Sequence, residues 1–141
     1  VAGCIARFVA AIESDSVICH SPDQVPAAFD AALNSGDLDA VLGVFSNMAT
    51  MRMPEGLEVR ESPAGLRVGL ARLLSLRPRI RSEVRRVVTS GDIALVLLDW
   101  TLGVTLPDGR DHETRGTATH VMEKGRDGGW RLRIANPGGV N

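Results

Sequence analysis

The sequence predicts an α+β fold, with helices segregated from an antiparallel sheet. Three observations carry the prediction. Apolar residues recur at helical spacing through the first half of the chain. From Arg79 onward they change to strand-like runs separated by Pro-, Asp- and Gly-rich turns. The 141 residues suffice for one sizeable core without metals or disulfides.

Taken in order, Ile5, Phe8, Val9 and Ile12 follow i, i+3, i+4, i+7 spacing and predict a short amphipathic helix. The polar stretch Ser14 to Pro22 then reads as a linker, so residues 1–21 form an N-terminal extension and 22–141 the domain proper. Asp23 is the expected N-cap of the next helix, which carries Val25, Phe29, Ala32 and Leu33 on its apolar face and stops at Gly36. Asp37 caps a second helix in which Leu38, Val41, Leu42 and Phe45 repeat. Ala49 to Met53 reads as a strand ended by Pro54, with Leu57 to Glu61 as its return. Ser62-Pro63 opens a third helix, with Leu66, Leu70, Leu73 and Leu74 on one face. Four strands follow as a meander: Ile80 to Thr89, with Val84 and Val88 on one face, Asp92 to Thr105, Asp111 to Lys124 and Trp130 to Asn136. Pro107-Asp108-Gly109 and Asp127-Gly128-Gly129 make the turns that precede the last two.

The formal net charge is −1 with a pI near 6.3, so there is no global basic field to draw nucleic acid or anionic lipid. Arg72, Arg77, Arg79, Arg81, Arg85 and Arg86 make a local basic stretch without interleaved aromatics, which fits a solvated surface. Cys4 and Cys19 lie in no CxxC or Cys/His cluster, which argues against a disulfide framework or zinc site and fits a reducing cytoplasm. No apolar run reaches the length of a membrane span, and the N-terminus, interrupted by Arg7, makes a poor signal peptide. Walker, GxGxxG, HExxH and GxSxG motifs are missing, so any catalysis is expected to be cofactor-free acid–base chemistry without a metal.

The run Ala31 to Ala40 (AALNSGDLDA), followed by Phe45 and Ala49-Thr50, resembles the opening of ketosteroid-isomerase-like proteins, the superfamily of nuclear transport factor two. Gly91 to Val96, Trp100-Thr101-Leu102, Arg115-Gly116-Thr117 and Asp127 to Arg131 fit its SnoaL-like bacterial branch. The resemblance covers roughly Asp23 to Gly139. It implies a cone-shaped curved sheet wrapped on three helices, with an apolar small-molecule pocket between them. By the same resemblance, the tyrosine, base and protonated acid of the isomerases fall on Phe29, Met53 and about Thr119. The isomerases keep that acid neutral so that it can donate a hydrogen bond to the developing oxyanion. Phenylalanine and methionine cannot exchange the protons that steroid isomerisation needs, and the chain has no tyrosine. The superfamily's epoxide hydrolases need an arginine two positions from an aspartate on the long strand, and Leu98-Asp99-Trp100-Thr101 lacks it.

The polar candidates lie on the later strands. Period two puts Ile93, Leu95, Leu97, Asp99 and Thr101 on one face, and matching the isomerase pattern turns that face inward. The opposite face, Ala94, Val96, Leu98 and Trp100, is then expected to cover a sheet-to-sheet homodimer. A β-bulge would exchange the faces and bring Trp100 to the cavity. An inward Asp99 suits general acid or base work, and the alternative is a structural pair with an arginine. On the next strand, alternation does not choose between Arg115, Thr117, Thr119 and Val121 on one face and Gly116, Ala118, His120 and Met122 on the other. Arg115 fits a partner for Asp99 or for a substrate carboxylate. His120 fits a general acid or base, or an interface histidine. Trp130, Leu132, Ile134 and Asn136 are expected to face inward together, with Asn136 either in the pocket or capping the turn before Pro137. Phe29, Met51 and Met53 are expected as pocket wall or ordinary core.

Two functions follow from this pattern. One is a small-molecule isomerase, cyclase or lyase acting on an apolar, polyketide- or terpenoid-like substrate, with Asp99, His120 and Asn136 as catalytic candidates. The other is a non-catalytic ligand-binding or dimeric assembly domain.

Overall fold

The computed structural model describes residues 18–52, 58–59 and 63–141. The expected N-terminal helix, Met53 and Pro54 lie outside the described residues. Of the expected linker, Ile18 to Pro22 is described, and its backbone is tied to the domain. Cys19 is buried, its carbonyl accepts the Trp130 N–H at 2.8 Å, and the two residues form an antiparallel bridge.

Helix α1 spans Gln24–Ser35. Asp23 stands at its N-cap position without a side-chain capping bond. Its carboxylate instead accepts the Ser21 hydroxyl at 2.6 Å. The helix stops at Gly36, whose φ of 78° is the left-handed conformation that glycine enters without a Cβ clash. Asp37 then caps α2, Leu38–Gly43, by accepting the Ala40 N–H at 3.1 Å. This helix is shorter than its apolar repeat predicts. Phe45 belongs instead to strand β1, Phe45–Arg52, which begins four residues earlier than expected. Strand β2, Glu58–Val59, returns antiparallel on β1. Helix α3, Pro63–Ser75, buries Leu66 and Leu70.

Strands β3 (Arg79–Ser90), β4 (Ile93–Thr105), β5 (Asp111–Lys124) and β6 (Trp130–Ala135) complete the sheet. Its order is β2-β1-β6-β5-β4-β3, so it stays open, with β2 and β3 at its edges. All neighbours are antiparallel except β1 and β6, which run parallel. The core lies between the helices and the inner sheet face. Val25, Leu33, Val41, Val96, Leu98 and Met122 are its largest fully buried side chains. This is the α+β cone architecture expected from the sequence.

The sheet's facing differs from expectation in three places. On β4 the inward set is Ala94, Val96 and Leu98, with Trp100 and Leu102 in the same phase, while Ile93 and Leu95 are exposed. The expected orientation is therefore reversed along the whole strand. On β3, Arg85 is an extra residue between Val84, opposite Leu98, and Arg86, opposite Leu97. The shift turns Val87 toward the core and leaves Val88 exposed, so Val84 and Val88 do not share a face. On β6, Arg133 is extra between Leu132 and Ile134. Trp130 and Leu132 face in as expected, but Ile134 faces out and Ala135 takes the inward place.

Candidate functional site

The inward row of β4 and two helices enclose a cavity of about 530 Å³. Leu33 and Phe29 of α1 and Leu66, Gly69, Leu70 and Leu73 of α3 form one wall. Leu98, Trp100, Leu102, Met122 and Leu132 form the sheet side, with Phe45 and Met51 from β1. Phe29 meets Phe45 edge to face, with ring centroids 6.0 Å apart. The wall is apolar because α1 and α3 turn their periodic faces to the sheet and β4, apolar on both faces, gives up its larger inward set.

Trp100 is fixed from two sides. Its Nε1 donates to the Pro137 carbonyl at 2.8 Å. Gly116 sits directly across on β5, and a Cβ there would lie 2.7 Å from Trp100 Cζ2. Only glycine leaves room for the indole.

His120 and Arg52 also line the cavity, and both are held by Asn136. The Asn136 backbone N–H donates to His120 Nδ1 at 2.9 Å. That nitrogen therefore carries no proton, and the ring's hydrogen sits on Nε2. Burial pushes the imidazole pKa down to about 4, so His120 is neutral at pH 7. The Arg52 guanidinium donates through Nη1 to Asn136 Oδ1 at 2.9 Å and to the Gly139 carbonyl at 2.8 Å. Its Nη2 donates to the main-chain oxygen of Asn141. The Asn136 amide closes the network by donating to Thr119 Oγ1 at 2.7 Å and to the Gly139 carbonyl at 3.0 Å.

Asp99 is not part of this site. It stands on the outer face, where its carboxylate accepts Arg85 Nε at 2.6 Å and Thr117 Oγ1 at 2.9 Å. Those bonds, Arg85 first, hold its carboxyl below the usual carboxylate range. The bulge that makes Arg85 extra also points its side chain at Asp99, and the structural pair is the arrangement found. Leu97 and Thr101 share this outer phase, and Thr117 is exposed beside Asp99. Thr119 is turned to Asn136. The Arg133 bulge carries Asn136 into the same outer row, so its side chain braces the site without lining it. Arg115 stands at the cavity rim, largely exposed and 3.6 Å from Glu113 rather than Asp99. Phe29, Met51, Trp100 and His120 do come together at the cavity, and Met53 lies outside the described residues. Arg52 is the site residue that the sequence pattern did not single out. Its signal was a lone cation between Met51 and Met53 in an otherwise apolar strand end. Among the described residues, no cluster of three or more His, Cys, Asp or Glu gathers that could hold a metal, and no helix is long and apolar enough to cross a membrane.

The same architecture recurs in solved structures. A ketosteroid isomerase-like protein from Erwinia carotovora atroseptica superposes with a TM-score of 0.71 at 18% identity, covering 81% of this chain and 89% of that one. A nuclear transport factor 2-like superfamily protein from Salmonella enterica serovar Typhimurium gives 0.70 at 16% identity, covering 84% and 89%. A candidate dehydratase of the same superfamily from Streptomyces avermitilis gives 0.68 at 19% identity, covering 84% and 94%. At such identities the likeness speaks for the fold. The sequence itself matches the SnoaL-like domain over residues 25–131, most of the chain, and the protein therefore belongs to the SnoaL-like domain family.

Proposed function

We propose that this chain binds an apolar small molecule in the cavity between α1, α3 and the inner sheet face. The observation that carries the reading is the cavity itself: about 530 Å³, walled by aliphatic and aromatic side chains, with polar groups gathered where Arg52 and His120 meet it. Its size and lining fit a polyketide- or terpenoid-like ligand. Binding is favoured over the acid–base mechanism expected of Asp99, because that carboxylate faces away and is paired to Arg85. A second reading, cofactor-free isomerase, cyclase or lyase chemistry, rests on His120 alone as the proton carrier. A neutral imidazole whose Nε2–H meets no protein acceptor among the described residues, set in an apolar pocket, has the groups for it.

The test is a panel of polycyclic and terpenoid ligands, read by thermal shift and by quenching of Trp100 in a Trp130→Phe background. Binding to the native state raises the melting temperature by mass action. Gly69 lines the cavity with no atom within 4 Å of where its Cβ would stand, so Gly69→Phe should fill the space and abolish binding. A panel with no binder overturns the proposal. Turnover that His120→Gln removes while affinity survives selects the catalytic reading, and binding without turnover selects the first.

We also propose that the outer sheet face pairs with a second copy of this chain. Val88, Leu95, Val121 and Ile134 stand opposite one another across β3, β4, β5 and β6. Val88, Leu95 and Ile134 are 52%, 39% and 41% exposed, which makes a continuous apolar row. These residues replace the expected set of Ala94, Val96, Leu98 and Trp100, which is used up by the interior. The rim carries both signs, with Glu123 beside Arg133 and Asp92 beside Lys124, so a two-fold related copy meets no field of like charge.

A further inference from the structure

We propose that the polar end of the cavity is a carboxylate subsite, in which Arg52 and His120 together hold the single negative charge of an otherwise apolar ligand. This rests on the reading of the cavity as a ligand pocket and names the ligand's class.

The argument begins with unspent hydrogen-bond donors. A guanidinium has five N–H groups. Arg52 commits three, two on Nη1 and one on Nη2, to the Asn136 amide oxygen and to main-chain oxygens of Gly139 and Asn141. Its Nε–H and second Nη2–H meet no protein acceptor among the described residues. Nor does Arg52 have an aspartate or glutamate within ion-pair distance there. Arg85, Arg131 and Arg133 by contrast have side-chain carboxylates at 2.6, 2.7 and 3.6 Å. Arg52 is half-buried against an apolar cavity, where a cation without a carboxylate side chain beside it is costly. A ligand that brings the counter-charge relieves that cost.

His120 supplies the second donor. Its Nδ1 is occupied by the Asn136 N–H, which leaves Nε2–H, and no protein acceptor among the described residues meets it. Both groups are anchored to the same residue, His120 through the Asn136 backbone and Arg52 through its side chain. Asn136 is thus a positioning residue that sets the two donors relative to each other before a ligand arrives. The charge count selects the ligand. One guanidinium and one neutral imidazole balance one negative charge, so a carboxylate fits. A phosphate dianion would leave an unbalanced charge against leucine and phenylalanine. The apolar wall demands that the rest of the ligand be hydrocarbon.

Isothermal titration of the chain with 2-naphthoate, its methyl ester, 2-naphthyl phosphate and 2-naphthylmethylamine tests this. Where Asn141 carries a free carboxylate, it is amidated so that it cannot compete with the ligand for Arg52. The acid should bind about ten-fold or more tightly than the ester, with phosphate weaker than acid and the amine weakest. Arg52→Met should remove the preference for acid over ester, whereas Arg52→Lys should retain part of it. Should Arg52→Met fail to fold, since Arg52 also ties down the segment at Gly139, the ranking of the four probes on the unaltered side chains decides. Ester equal to acid, phosphate or amine equal to acid, or acid preference surviving Arg52→Met overturns the subsite while leaving the pocket reading intact. If none of the four binds, the subsite is overturned together with the pocket reading.

Discussion

Two residues of the cavity make their roles measurable. Gly116 gives its missing side chain to the Trp100 ring, so Gly116→Ala forces the indole or the β4–β5 pair apart. Overpacking of this kind costs about 1–3 kcal/mol. Urea unfolding should show that loss in Gly116→Ala, and a double-mutant cycle with Trp100→Phe should show strong coupling, because the smaller ring vacates the contested volume. His120 predicts a pH dependence. Its folded pKa, about 4, lies below its ordinary 6.5, so between these values the unfolded chain binds a proton that the native one refuses. Stability is then full above pH 6.5 and falls as pH drops toward 4, by roughly 3 kcal/mol at most for a shift of this size. The difference in unfolding free energy between the wild-type protein and His120→Gln, followed from about pH 7.5 to about 4.5, isolates this contribution from the carboxylates. A flat difference would refute it. Asp99→Asn, by contrast, should leave ligand affinity unchanged, since the residue faces away from the cavity.

At the scale of elements, β3 is an exposed edge, and side chains of α1 partner two of its outward N–H groups. Asn34 Oδ1 accepts the Ile80 N–H at 2.7 Å while its amide donates to the Ile80 carbonyl at 2.9 Å. One helical turn earlier, Asp30 accepts the Ser82 N–H and hydroxyl at 2.7 and 2.9 Å. The two side chains act as a short surrogate strand and dock α1 against the edge. Asn34→Ala should cost about 1 kcal/mol and should selectively accelerate hydrogen exchange at Ile80, with Asp30→Ala doing the same at Ser82. The stop at Gly36, the cap at Asp37, the start at Pro63 and the turn at Pro107-Asp108-Gly109 were legible because each depends on local chemistry, whereas Asp23 stands at its cap position without the bond. Facing was not legible, for a physical reason. Both phases of β4 are apolar, so alternation carries no sign, and the resemblance used to choose a phase chose wrongly. Asp99 and the glycine opposite Trp100 held the better clue, since a lone carboxylate favours water and an absent side chain marks a close approach. The bulges at Arg85 and Arg133 leave no signature in composition, yet one sets the partner of Asp99 and the other the direction of Asn136.

For the whole molecule, the apolar row across the outer face predicts self-association. Sedimentation velocity should find a dimer, and Leu95→Glu, at the centre of an exposed row, should return it to monomer with the native circular dichroism intact. A wild-type monomer at high concentration would sink the proposal. The topology also has a temporal consequence. The two halves of the sheet are joined by the parallel pairing of β1 with β6, and the bond from Arg52 to Asn136 spans 84 positions of sequence. During synthesis β1 emerges before the long strands, and it has no link to them until Trp130–Ala135 has left the ribosome. The cavity, whose walls come from both ends of the described chain, is thus among the last features to form. Contacts so distant in sequence make folding slow, and until the final strand arrives the apolar faces of α1 and α3 are surfaces for chaperones to cover.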